Sequence, residues 1–198
     1  WTSDIFFGTD AFVAKLSPEG GHLWSTYLGS LGDDLGLGLV VDGAGNVYVT
    51  GKTESNWWLS RNYHNTGYDE SGTFVIKLSP TGAPLWSSCL KGHGERSFVA
   101  LDRLGNIYVA GSTTWNGWVS GGYNTKLNGD LYSGNYPKSD AFLVKLSPAG
   151  DHLWSTYIGG KTNDYGTGLV VDSADNVCVA GYTETEFGYG IQNWVSGG

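Results

Sequence analysis

Short runs of apolar residues punctuated by Gly, Pro, Asp and Asn fill most of the chain. The runs are rich in Val, Ile, Leu, Tyr, Phe and Trp, side chains that suit a pleated surface, so each predicts a strand of about five residues. In the run from Phe12 to Leu16, a period of two puts Phe12, Ala14 and Leu16 on one face and Val13 on the other. Both faces are apolar, which predicts a sheet buried on both sides. No stretch shows apolar residues at helical spacing between caps, so no helix is expected.

The runs repeat. Asp10-Ala11-Phe12-Val13-Ala14-Lys15-Leu16-Ser17-Pro18 returns as Thr73-Phe74-Val75-Ile76-Lys77-Leu78-Ser79-Pro80 and as Asp140-Ala141-Phe142-Leu143-Val144-Lys145-Leu146-Ser147-Pro148. Each copy continues into Leu23-Trp24, Leu85-Trp86 or Leu153-Trp154. A second block then runs from Asp42 to Val49, from Asp102 to Val109 and from Asp172 to Val179. Phe12 and Phe74 lie 62 residues apart, and Phe74 and Phe142 lie 68 apart, giving units of about 10–71, 72–139 and 140–198.

Each unit reads as four strands. In the first full unit, strand a is expected over 37–42, b over 46–51, c over 73–78 and d over 85–89. The Ser-Pro-x-Gly turns place Ser first, Pro second and Gly fourth, as a type I turn requires. The second hairpin turns at Asp42–Asn46 and its copies, with Asp175 at a left-handed position that Asp tolerates better than most residues. Repeated four-strand sheets, apolar on both faces, predict an all-β chain of propeller blades stacked face to face, two complete and two half blades at the termini. A β-sandwich or a parallel β-helix could use similar strands, but the fixed four-strand unit favours the propeller. The whole chain, 1–198, is then one propeller-repeat domain.

These strings, with Leu-Trp-Ser-Thr-Tyr-Leu-Gly, Gly-Asp-Asp and Asp-x-x-Gly-Asn-Val-Tyr-Val-Thr-Gly, resemble the bacterial β-propeller repeats known as SBBP repeats. The resemblance covers nearly all of the chain outside its long loops. It implies a module of a secreted or surface-exposed prokaryotic protein. It brings no catalytic motif with it. The middle copy departs from the pattern, with Gly94-Glu95-Arg96 in place of Gly-Asp-Asp, so the three units are not equivalent there.

Composition narrows the partners. Of 198 residues, 11 are basic and 19 acidic, a net charge of -8, which repels phosphate backbones and argues against nucleic acid. No apolar run approaches the roughly 20 residues of a membrane span. The chain starts at Trp1, as expected of a processed product or a piece of a longer protein. The 2 Cys, at single aromatic positions of different strands, are expected as free thiols.

Candidate chemistry concentrates on the d–a and b–c connections, which share one face in this strand order. The b–c loops, 52–72 and 112–139, are long for a compact domain and carry Trp57, Trp58, Tyr63, Trp115, Trp118 and Tyr123, with Trp194 in the third copy. Such flat, half-polar side chains could stack sugar rings or grip a surface protein. Their recurrence in the motif Trp-x-Ser-x-x-Tyr favours an architectural role, each Trp tucking its loop against the neighbouring blade. Asp33, Asp34 and Asp164 are the candidate calcium ligands, although local turn bonding is the simpler use of them, and no other cofactor is expected. The recurring Lys15, Lys77 and Lys145 are expected at a solvated edge or in ion pairs between blades. His22 and His152 sit at turns on the opposite face, and nothing in the sequence assembles a catalytic constellation. The expected role is a non-enzymatic assembly module, with a lectin-like binding propeller as the alternative.

The half blades carry a further expectation. Propellers typically close with four to eight blades, and three blade equivalents leave a ring open. Strands a and b of one chain are expected to complete a blade with strands c and d of another copy or of flanking sequence. A six-bladed homodimer is the closed outcome and a head-to-tail fibre the open one.

Overall fold

The computed structural model describes residues 8–54, 59, 61–62, 71–92, 96–127 and 138–184. All of its regular structure among these residues is β. The chain packs as two compact units, residues 1–94 and 95–198.

The first unit opens with β1 (Ala11–Leu16) and β2 (His22–Leu28), an antiparallel pair that forms a two-stranded sheet. It continues with β3 (Leu35–Val41), β4 (Val47–Thr53), β5 (Arg61–Asn62), β6 (Gly72–Leu78) and β7 (Pro84–Leu90). These five make one sheet in the order β3-β4-β6-β7-β5. The expected succession a, b, c, d is thus the spatial order, with every neighbour antiparallel. The fifth strand, β5, comes from the b–c loop and lies parallel along the outer edge of β7.

The second unit repeats this from the other side. It holds β8 (Ser97–Leu101), β9 (Ile107–Thr113), β10 (Asp140–Leu146) and β11 (His152–Ile158), a complete blade in the order β11-β10-β9-β8. A two-stranded sheet of β12 (Asp164–Val171) and β13 (Val177–Thr183) follows. By their place in the repeat, β1 and β2 are strands c and d, and β12 and β13 are strands a and b.

Hairpin chemistry explains the regularity. In the Ser-Pro-x-Gly turns the fourth-position N–H donates to the first-position carbonyl, at 2.9 Å for Gly20 to Ser17 and Gly82 to Ser79, and 2.8 Å for Gly150 to Ser147. In the a–b hairpins an Asp carboxylate organises the turn. Oδ1 of Asp42 accepts the N–H groups of Ala44 at 3.0 Å and Asn46 at 2.9 Å, while Oδ2 accepts the Asn46 amide at 2.8 Å. Asp102 and Asp172 repeat the arrangement. Asp175 adopts the left-handed conformation at φ 64° where the other copies have Gly45 and Gly105.

Successive sheets pack face to face inside each unit. In the first, Ala11, Val13 and Leu28 of the half blade meet Val47, Val49, Phe74, Ile76 and Leu78 of the complete blade. In the second, Tyr108, Ala110 and Leu143 meet Leu169, Val171, Val177 and Val179. Interior strands β6 and β10 are buried along nearly their whole length. The equivalent β1 alternates between buried and exposed residues, because one of its faces is uncovered.

Candidate functional site

The d–a turns and the ends of the b–c loops come together at one end of each unit, as the strand order required. In the first unit the Asp34 N–H donates to the Thr9 carbonyl (2.5 Å) and the Glu54 N–H to the Asp33 carbonyl (3.1 Å). In the second unit Asp164 N–H to Ser139 carbonyl (2.6 Å) and Glu184 N–H to Asn163 carbonyl (2.8 Å) repeat the pair.

The structure separates the roles of the acidic residues. The Asp33 carboxylate accepts the Thr9 N–H at 2.8 Å, and Asn163 uses its side-chain oxygen for Ser139 in the same way, at 2.9 Å. Asp34 and Asp164 are buried and turn inward. Each closes its own turn, accepting the N–H of Ser30 (2.9 Å) or Gly160 (2.7 Å). Each also gains an acidic neighbour at the start of strand c. Oδ1 of Asp140 and Oδ2 of Asp164 lie 2.7 and 2.8 Å from the point a Cβ would occupy on Gly159. Oδ1 of Asp10 and Oδ2 of Asp34 lie 2.5 and 2.6 Å from that point on Gly29. Glycine is what leaves room for two carboxylates. Burial pushes the Asp164 carboxyl above the usual carboxylate range, against the Gly160 N–H and the Thr183 hydroxyl, which lower it. The middle copy has Gly72 where the others have Asp10 and Asp140, so the pairing belongs to two repeats out of three. Calcium wants six to eight oxygens. Among the described residues no three His, Cys, Asp or Glu side chains are grouped to share a metal ion.

The aromatic loop of the second unit is a brace. Its Ser120 carbonyl accepts the Ser155 N–H and its Asn124 carbonyl the Tyr157 N–H, both at 2.8 Å. The Ser120 and Asn124 N–H groups donate to the side-chain oxygens of Ser155 (2.9 Å) and Thr156 (2.8 Å). Segment 120–124 therefore runs along the outer edge of β11 as β5 does along β7. Trp118 is only 3% exposed and sits edge-on to Phe142 (5.2 Å between ring centres) and Tyr157 (6.3 Å). Both rings belong to its own blade, and a buried indole offers no face to a sugar. The Tyr157 hydroxyl donates to the Trp115 carbonyl at 2.7 Å, and burial pushes its pKa up to about 12. Among the described residues of this loop, Trp115 and Tyr123 are the exposed aromatics. Trp57, Trp58, Tyr63 and Trp194 lie outside the described residues.

The recurring lysines are also structural. Lys145 lies 3.2 Å from Asp102 and over the Tyr108 ring at 4.8 Å, and Lys77 lies over Tyr48 at 4.9 Å. These contacts stay within one blade, whereas Lys15 donates to the Pro80 carbonyl of the complete blade beside its half blade at 3.3 Å. Sequence reasoning also missed a His–Ser contact in two copies, His22 Nε2 to Ser25 Oγ at 3.2 Å and His152 Nε2 to Ser155 Oγ at 2.9 Å. The i, i+3 spacing was visible, but Ser155 is buried beneath the loop segment and is no accessible nucleophile. Both cysteines are free thiols, Cys89 buried and Cys178 exposed.

Comparison with known proteins points the same way as the strand order. The SBBP beta-propeller repeat model matches residues 23–56, 99–117 and 153–188. The chain is also 22% identical over 230 residues to an uncharacterized WD repeat-containing protein of Acanthamoeba polyphaga mimivirus. That match takes in 88% of this chain and 16% of the relative.

Proposed function

From a chain built of SBBP beta-propeller repeats, we infer a non-enzymatic assembly module of an extracellular or cell-surface protein, whose half blades are completed by strands from another copy of the chain or from flanking blades. One observation carries this reading. Phe12 is 70% exposed and Tyr27 63%, whereas the residues at the same repeat positions, Phe142 and Tyr157, are 0% and 1% exposed. The same side chains, in the same local structure, are core in the complete blade of the second unit. Leaving them in water forfeits roughly 1.5–3 kcal/mol for each large side chain, so covering them is a strong drive to associate.

The d–a end supports the same role. There Asp34 and Asp164 each accept an N–H of their own turn, and Asp33 ties the first of these turns to Thr9, which is the work of a scaffold. Static light scattering of the 198-residue chain tests the reading. A dimer or a larger array at micromolar concentration is expected, and a stable, well-folded monomer would defeat it.

A further inference from the structure

The two half blades are complementary, and the complete blades show the register in which they fit. In strand pair β4–β6 Gly51 lies opposite Phe74, and in β9–β10 Gly111 lies opposite Phe142. A Cβ on Gly51 would come within 2.6 Å of the Phe74 ring, and one on Gly111 within 2.9 Å of the Phe142 ring. The glycine is the seat of the phenyl ring. Gly181 of β13 holds this position in the third repeat, and the atoms nearest its Cβ direction are backbone atoms of Tyr165 and Gly166. It is a seat without a ring. Phe12 of β1 is a ring without a seat.

Charge follows the same register. Tyr48 pairs with Lys77 and Tyr108 with Lys145, and Lys145 reaches on to Asp102 at the a–b hairpin. Cys178 occupies the tyrosine position in β13, next to the exposed hairpin aspartate Asp172. Lys15, the equivalent lysine of β1, donates to the Pro80 carbonyl at 3.3 Å.

We propose that β13 of one copy pairs antiparallel with β1 of a second copy, with Gly181 opposite Phe12 and Cys178 opposite Lys15, the Lys15 ammonium turning to Asp172. This rests on the assembly reading above and specifies its partner and register. The occupant is a second copy because every copy carries both halves of the seam, the seat at Gly181 and the exposed ring at Phe12, in the register that the complete blades use.

A single substitution tests the seam. Directly opposed Cα atoms in antiparallel strands lie about 4.5–5.5 Å apart, within the span of a disulfide. Lys15→Cys therefore creates a partner for the native Cys178. Mild oxidation is expected to give a covalent dimer at twice 21.2 kDa on a non-reducing gel, and adding Cys178→Ser abolishes it. Ala14→Cys, whose side chain points to the other face, gives none. Association by light scattering without the disulfide would overturn the register and leave the assembly reading standing. A monomer by light scattering would overturn both, and a disulfide within one chain would overturn the second copy as partner. Phe12→Ala gives an independent readout, because the exposed ring is not needed to fold the chain. It should weaken association on the order of a hundredfold or more, and unchanged association would overturn the proposal.

Discussion

Burial of the His152 imidazole depresses its pKa from the ordinary 6.5. A proton that water accepts readily is costly there, so the folded chain favours the neutral ring. The sign follows by linkage: the stabilisation is complete above pH 6.5 and is lost as pH falls through 6.5 towards the depressed value. We expect the melting temperature to fall between about pH 7 and about pH 5, and His152→Gln to flatten that slope. An unchanged slope in the variant would refute the assignment. The hairpin carboxylates act at lower pH. For Asp42 and Asp102, burial raises the pKa but the bonds from Asn46 and Asn106 outweigh it. At Asp172 the Asn176 amide leads, and all three end below the usual value of 3.8. Asp164 works in the opposite sense, its contribution shrinking as pH rises from the ordinary carboxylate range to its raised value. At this scale the Gly-Asp-Asp motif was legible in sequence, but its partners were not. Asp10 and Asp140 meet Asp34 and Asp164 only because antiparallel pairing returns the start of strand c to the d–a turn.

At the scale of elements, the loop segment along β11 carries a measurable burden. Trp118 fills the space above Phe142 and Tyr157 with edge-to-face contacts, so Trp118→Ala leaves a cavity beneath the segment. Such truncations cost about 3–5 kcal/mol. Denaturant unfolding followed by a probe in the second unit should register a loss of that size, and a change below about 1 kcal/mol would place the indole outside the core. Strands a to d were legible because their alternation and their Ser-Pro-x-Gly and Asp-x-x-Gly-Asn turns are local properties. The outermost strand was not. Segment 118–124 has no apolar alternation, and its order comes from backbone and hydroxyl bonds to a strand about 35 residues away, as in the Ser120–Ser155 contact. The tryptophan recurrence announced architecture, but not which blade each indole would cover.

For the whole molecule, completed and uncompleted blades should differ in how they respond to concentration. Association that covers β1 and β13 stabilises the half blades by mass action and leaves the interiors of the complete blades largely as they were. Amide exchange in β1, β2, β12 and β13 should therefore slow as the chain is concentrated from micromolar to submillimolar, with little change in β6 and β10. Equal response in all six strands would contradict this.

The segments laid along β7 and β11 have a consequence for how promiscuous that association can be. An uncovered outer strand would recruit any extended chain, since backbone pairing is blind to sequence. Occupying the rim of each complete blade with the protein's own loop removes that generic stickiness. Pairing is then worthwhile where side chains discriminate, a ring seeking a glycine and an ammonium seeking a carboxylate. The two half blades are unlike, one made of strands c and d and the other of a and b, so the proposed seam has a direction. Pairing through the proposed seam would run head to tail, ending in a closed ring or continuing as an open fibre.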